Sequence, residues 1–197
     1  MTWLVAGLGN PGDRYARTRH NVGAMVADEL ARAAGDRFRK VRFLPIDMAE
    51  LRVGDQRVLV ARSQRFMNEA GPSYASLARK NDVDAARVIA VHDDLDLAAG
   101  ALRIKSGGST AGHNGLRSLQ QALRTPEFLR VRVGIGRPPG RQDPADFVLE
   151  PFPKREEAEV ALLVDDAADA VRSLIVEGLE RTQDRFNRPG PRAEPSE

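Results

Sequence analysis

WLVAGLGNPG, residues 3–12, is the stretch on which the fold turns. An apolar run enters a turn carrying Gly7, Gly9 and Gly12 at GxGxxG spacing, the pattern by which a dinucleotide-binding strand passes into a helix. That fingerprint needs a helix starting inside the glycine turn and an acid about 20 residues on, at the end of the second strand, to hold the ribose. Here DRYARTRHN, residues 13–21, intervenes before helical periodicity begins, and the acids at the right distance, Asp28 and Glu29, fall within a helical pattern. The dinucleotide reading therefore fails on context. What remains is a strand ending in a tight turn that displays Asn10, a residue equally suited to plain turn formation.

Beyond this turn, periodicity maps the chain. Val22, Met25, Val26, Leu30 and Ala33 mark a helix, and two strands are expected within residues 40–62. Residues 69–80 read as helix, 87–91 and 102–105 as strands, and Leu116, Leu119 and Leu123 as a helix stripe. A strand over 129–135 and a long amphipathic helix through Ala161, Val164, Ala168, Val171 and Ile175 follow. Helices interspersed among strands predict one α/β domain over residues 1–186, with a largely covered sheet. Residues 187–197 lack any apolar period and are expected to form a disordered tail.

Composition narrows the class. The 197 residues suffice for one sizeable core, and no run of 18 apolar residues offers a membrane span. No basic segment precedes an apolar one at the amino terminus, so a cytoplasmic location is expected. The absence of cysteine excludes disulfides and thiolate chemistry. The net charge of +2 hides an uneven distribution. Residues 101–142 hold eight basic side chains against the single acid Glu127, whereas 143–169 hold nine acids against two bases. Such a block is either an ordinary solvated surface or a phosphate-facing patch.

Three more segments bear on Asn10. RFMNEAG places Met67 and Asn68 after a strand, RVIAVHDDLDL places Asp93 just past a buried strand, and GGSTAGHNGLRSL places His113 and Asn114 at a glycine-rich helix start. Open α/β sheets bind ligands beyond the carboxyl ends of their strands, so these loops are expected to converge on one crevice. If the strand continues through His92, then His92 and Asp93 point to opposite faces and are not expected to enter the crevice together.

GLGNPGDRYARTRHNVG, FMNEAG, HDDLDLAAG, GHNGLRSL and VRVGIGRPPG occur in order across residues 3–150, and in them the chain resembles bacterial peptidyl-tRNA hydrolases. The resemblance implies a single three-layer αβα domain with a mixed, mostly parallel central sheet. It further implies a monomer without metal or organic cofactor, cleaving the ester between a peptidyl group and the terminal ribose of tRNA. Asn10, Tyr15, Met67, Asn68, His113 and Asn114 would then contact substrate, and Lys105 with Arg132 would clamp a tRNA phosphate. Ser109 and Ala111 depart from the glycines common in the loop before His113, and Ser63, Arg65 and Ala70 from the residues common around FMN.

The chemistry stands on its own terms. Hydrolysis near neutral pH needs an activated water, and histidine is the side chain suited to that task. A lone histidine is more often structural than catalytic, so His20 needs an acid to orient it, and the resemblance makes Asp93 that acid. Asparagine amides donate and accept without titrating, which suits them to hold a peptide and its ester. His113, at a helix amino terminus, is expected to stay neutral. Aromatics make up 5% of the chain, so RNA binding through base stacking is not expected. Two rival readings are a noncatalytic RNA-binding protein and a metal-dependent hydrolase built on HDDLD with another histidine.

Overall fold

The computed structural model describes residues 1–187. Seven strands form one sheet: β1 Thr2–Gly7, β2 Arg39–Lys40, β3 Ile46–Val53, β4 Gln56–Ser63, β5 Val88–Asp94, β6 Leu102–Ser106 and β7 Leu129–Gly134. Their spatial order is β2-β3-β4-β1-β5-β7-β6. The four central strands β4, β1, β5 and β7 run parallel, and β2, β3 and β6 are antiparallel at the edges. The helices are α1 Val22–Ala33, α2 Gly71–Lys80, α3 Asn114–Leu123, α4 Pro144–Val148, α5 Glu157–Glu177 and α6 Leu179–Phe186.

Period-two alternation sorts the strand residues into two cores. Leu4 and Ala6 of β1 and Val88 and Ala90 of β5 pack with Tyr74, Leu77, Leu116 and Leu119 of α2 and α3. Val5, Ile89 and Val91 face the other way, against Val26 and Leu30 of α1 and Val164 and Val171 of α5. Each buried Val, Leu or Ile among them is worth about 1.5–3 kcal/mol over exposure, so the sheet is fixed from both sides. None of the helices among the described residues is long and apolar enough to cross a membrane.

The opening glycines serve packing. A Cβ on Gly7 would meet Ala27 Cβ at 2.6 Å, and one on Gly9 would meet Ala24 Cβ at 2.9 Å, so both let α1 lie directly on the β1 turn. Gly12, at φ +96°, supplies the reversal that follows.

Two helices lie outside the sequence expectation. α4 has five residues, too few for a periodic signal, and is started by the Asp143 side chain accepting from Ala145 N–H. The polar sequence LERTQDRF of α6 is held by Thr182, which is fully buried and bonded to Ser173 at 2.8 Å. The expected tail lies outside the described residues except for Asn187. Its Oδ1 accepts from Ile104 N–H at 2.6 Å on β6.

Candidate active site

The carboxyl ends of β1, β4 and β5 open into a cleft of about 590 Å³. His20 reaches it from the short turn Arg19–Asn21 just ahead of α1, and His113 from the loop that starts α3. Asn10, Tyr15, Met67, Asn68, Asp93, Asn114, Lys105 and Arg132 also line it. The sequence-expected residues therefore share one cavity.

At its centre, one oxygen serves two rings. Oδ1 of Asp93 lies 2.9 Å from His20 Nδ1 and 2.9 Å from His113 Nε2. Nδ1 of His113 accepts from the main-chain N–H groups of Gly115 and Leu116, at 3.1 and 3.3 Å. With Nδ1 used as acceptor, Nε2 carries the hydrogen given to Asp93, and the same ring caps α3. Burial by itself pushes the Asp93 carboxyl up, but the His113 imidazole and its N–H, followed by the His20 N–H, outweigh it. Its pKa is held well below the usual carboxylate range. An ionised Asp93 accepts only, so His20 carries a hydrogen on Nδ1, and it is Nε2 that holds the lone pair in the neutral ring.

Asn10 is fixed from two directions. Its main-chain N–H donates to Asn21 Oδ1 at 2.9 Å while Asn21 Nδ2 donates to its carbonyl at 2.8 Å. The Asn10 side-chain oxygen accepts from Met67 N–H at 2.8 Å, leaving its NH₂ as the group available to the cleft. Asn68 and Asn114 are exposed on the rim, and Met67 is buried with its sulfur beside Gly115. Tyr15 meets Phe66 edge-on, their ring centres 6.1 Å apart.

The expectation for His92 needs correction. The strand does run through it, yet His92 and Asp93 both border the cavity, because the cleft sits over the end of β5 and not on one sheet face. His92 is buried, and burial first, then His113, pushes its pKa down to about 3. Asp94 accepts from Asp96 N–H at 2.9 Å, which closes a turn, and also takes Arg132 Nε at 2.8 Å.

A basic edge adjoins this centre. On β6 and β7, Lys105 pairs with Arg130 and Arg103 with Arg132. Arg130 is buried and donates to the carbonyls of Ser109 and Gly108 at 2.7 and 2.8 Å, tying down the loop that leads to His113. Burial first, then Arg132 and Arg130, lowers the Lys105 pKa. Arg132 keeps its two terminal nitrogens clear of the Asp94 contact, which uses Nε.

Sequence reasoning missed the wall opposite. Pro144, Val148 and Leu149 of the α4 segment line the cleft, together with Phe66 and Leu95. Arg19 holds this wall to the His20 turn: its buried guanidinium reaches the Phe147, Glu150 and Pro151 carbonyls at 3.3–3.4 Å and sits 4.1 Å over the Phe147 ring. No local pattern announces a contact across 128 residues.

His20, Asp93 and His113 also place potential metal ligands within 4.8 Å of one another. Ligands about 2.0–2.1 Å from a tetrahedral zinc stand about 3.3 Å apart. The 2.9 Å separations here are hydrogen-bond lengths, and Asp93 Oδ1 is already shared by two ring N–H groups. The donor set fits a hydrogen-bonded triad better than a coordination shell.

Known proteins resemble this chain along nearly its whole length. The family model described as peptidyl-tRNA hydrolase matches residues 4–195. A peptidyl-tRNA hydrolase of Nocardia farcinica is 53% identical over 184 residues, covering 93% of this chain and 95% of the relative. One from Frankia alni is 51% identical over 185 residues, covering 94% and 93%. The crystal structure of peptidyl-tRNA hydrolase from Acinetobacter baumannii superposes with a TM-score of 0.88 at 29% identity, covering 96% of each chain.

Proposed function

The chain belongs to the peptidyl-tRNA hydrolase family, and from that premise we propose that it hydrolyses the ester joining a peptidyl group to the terminal ribose of tRNA, with His20 as general base. The observation that carries the reading is the 2.9 Å contact of His20 Nδ1 with Asp93 Oδ1. It directs the Nε2 lone pair away from Asp93, orients the ring, and stabilises the imidazolium formed when Nε2 takes a proton from water.

The hydroxide so generated attacks the ester carbon, the acyl–oxygen bond breaks, and the departing ribose oxygen takes back the proton held on His20 Nε2. Charge building on the carbonyl oxygen calls for a neutral donor, and the Asn10 NH₂ is positioned to offer one because its oxygen is held by Met67 N–H. Asn68 and Asn114 add amides on the rim for the peptide main chain. Met67, Val148 and Leu149 give its side chains an apolar wall. Lys105 and Arg132 clamp a tRNA phosphate at the basic edge, Arg as a fork and Lys as a point charge.

Purified protein incubated with an N-blocked aminoacyl-tRNA in excess chelator tests this. Release of the blocked amino acid and free tRNA is expected. Binding without turnover would favour an RNA-binding protein, and turnover that requires added metal would favour the coordination reading of the His20, Asp93 and His113 trio.

A further inference from the structure

The chain has three histidines, and all three meet at Asp93. The mechanism above uses His20 with Asp93, His113 donates to the same Asp93 oxygen, and His92 is left idle. The residue is 2% exposed, and its Nδ1 lies 2.7 Å from the main-chain oxygen of Asp93. It packs against His113 with ring centres 5.0 Å apart at 71°. A carbonyl oxygen only accepts, so Nδ1 carries the hydrogen and Nε2 holds the lone pair. That Nε2 is buried without a hydrogen-bond partner among the described residues.

A buried acceptor without a donor is unfavourable, so a position needed only for packing would be better served by an apolar ring. What an apolar ring lacks is the Nδ1–H that holds the Asp93 carbonyl. Asp93 in turn has little tolerance for displacement, because a single oxygen has to reach His20 and His113 together at 2.9 Å.

We infer that His92 is a positioning residue for the hydrolysis. Its Nδ1–H tethers the main chain of Asp93 and its ring braces His113, which fixes the carboxylate where it serves both of the other rings. Held neutral by burial, His92 remains a donor across the working pH range and does not compete with His20 as a base. The inference rests on the reading of Asp93 and His20 as the catalytic pair.

Two variants separate the tether from packing. In His92→Asn the side-chain NH₂ takes the place of Nδ1–H, whereas His92→Phe keeps a ring and loses the donor. With an N-blocked aminoacyl-tRNA as substrate, His92→Phe is expected to lower kcat about tenfold with KM within about twofold, and His92→Asn to keep kcat within about threefold of the parent. Equal losses in both variants, an effect on KM alone, or full kcat in His92→Phe would overturn the inference. If either variant fails to fold, nitrogen-15 NMR of the unmodified protein decides. A neutral Nδ1–H tautomer that does not titrate between about pH 5 and 8 supports the inference, and an Nε2–H tautomer overturns it. Lack of turnover by the unmodified protein would sink the hydrolase reading instead, and the NMR result would still judge the tether.

Discussion

His20 and His113 share one acceptor: each presents a ring nitrogen 2.9 Å from the same Oδ1 of Asp93. The two rings lie 4.9 Å apart, with the Asp93 carboxylate in contact with both. Asp93→Asn keeps the shape and removes the charge that orients His20 and stabilises its protonated form. It is expected to lower kcat by about 10²–10⁴-fold while leaving the affinity for uncleaved tRNA unchanged. Steady-state kinetics with a tRNA binding assay check this, and a kcat within about threefold of the parent contradicts it.

The basic edge calls for a different signature. Lys105→Ala combined with Arg132→Ala should raise KM for full-length substrate far more than for a short esterified fragment that lacks the phosphate contact. The dependence of log KM on log salt should flatten by about one to two units. Equal effects on both substrates would place the phosphate elsewhere.

Ala111 bears on stability. It sits at φ +46° in the loop leading to His113, in the left-handed region where a Cβ is crowded. That conformation costs a non-glycine residue about 1–2 kcal/mol, against about 0.4–1 kcal/mol for the extra freedom glycine brings to the unfolded chain. Ala111→Gly is therefore expected to stabilise the protein by about 0.5–1 kcal/mol in urea unfolding, and a destabilised variant would show that the loop relieves its strain differently.

Acid destabilisation should carry the mark of His92. Its pKa falls from 6.5 in the unfolded chain to about 3 in the fold. Below about pH 6.5 the unfolded chain takes up a proton that the folded one refuses. Stability therefore falls with pH through this window, by up to about 1.4 kcal/mol per unit, and is unaffected above it. Asp93 acts lower: its carboxyl is depressed from 3.8, so its contribution is present above that value and lost beneath it. Between pH 7 and pH 5 the parent should lose about 2 kcal/mol more than His92→Asn, which has nothing to titrate there. An equal loss in both proteins would mean that His92 is protonated in the fold.

Much of this site could be read before any coordinates. Strands with period-two apolar runs end in loops rich in Gly, Asn and Asp, and the carboxyl edge of a parallel sheet gathers those loops. This is how Asn10, Met67, Asp93 and His113 come to share a cavity. The second bond to Asp93 was hidden, because it depends on which His113 nitrogen the α3 amides occupy. His92 was misread by face alternation, a rule that governs sheet surfaces and lapses at a strand end. The α4 wall and its Arg19 clasp arise from contacts between residues more than 120 positions apart, for which the chain carries no local periodicity. The Asp94 contact with Arg132 spans neighbouring strands in a register that only the sheet order reveals.

The most direct test is a single-turnover measurement of ester cleavage with enzyme in excess, comparing the parent with His20→Ala. Loss of the base predicts a rate lower by about 10²–10⁴-fold, with tRNA affinity and thermal unfolding close to the parent. A rate within tenfold of the parent in a folded His20→Ala protein would remove His20 from the role of general base and leave Asp93 serving His113 alone.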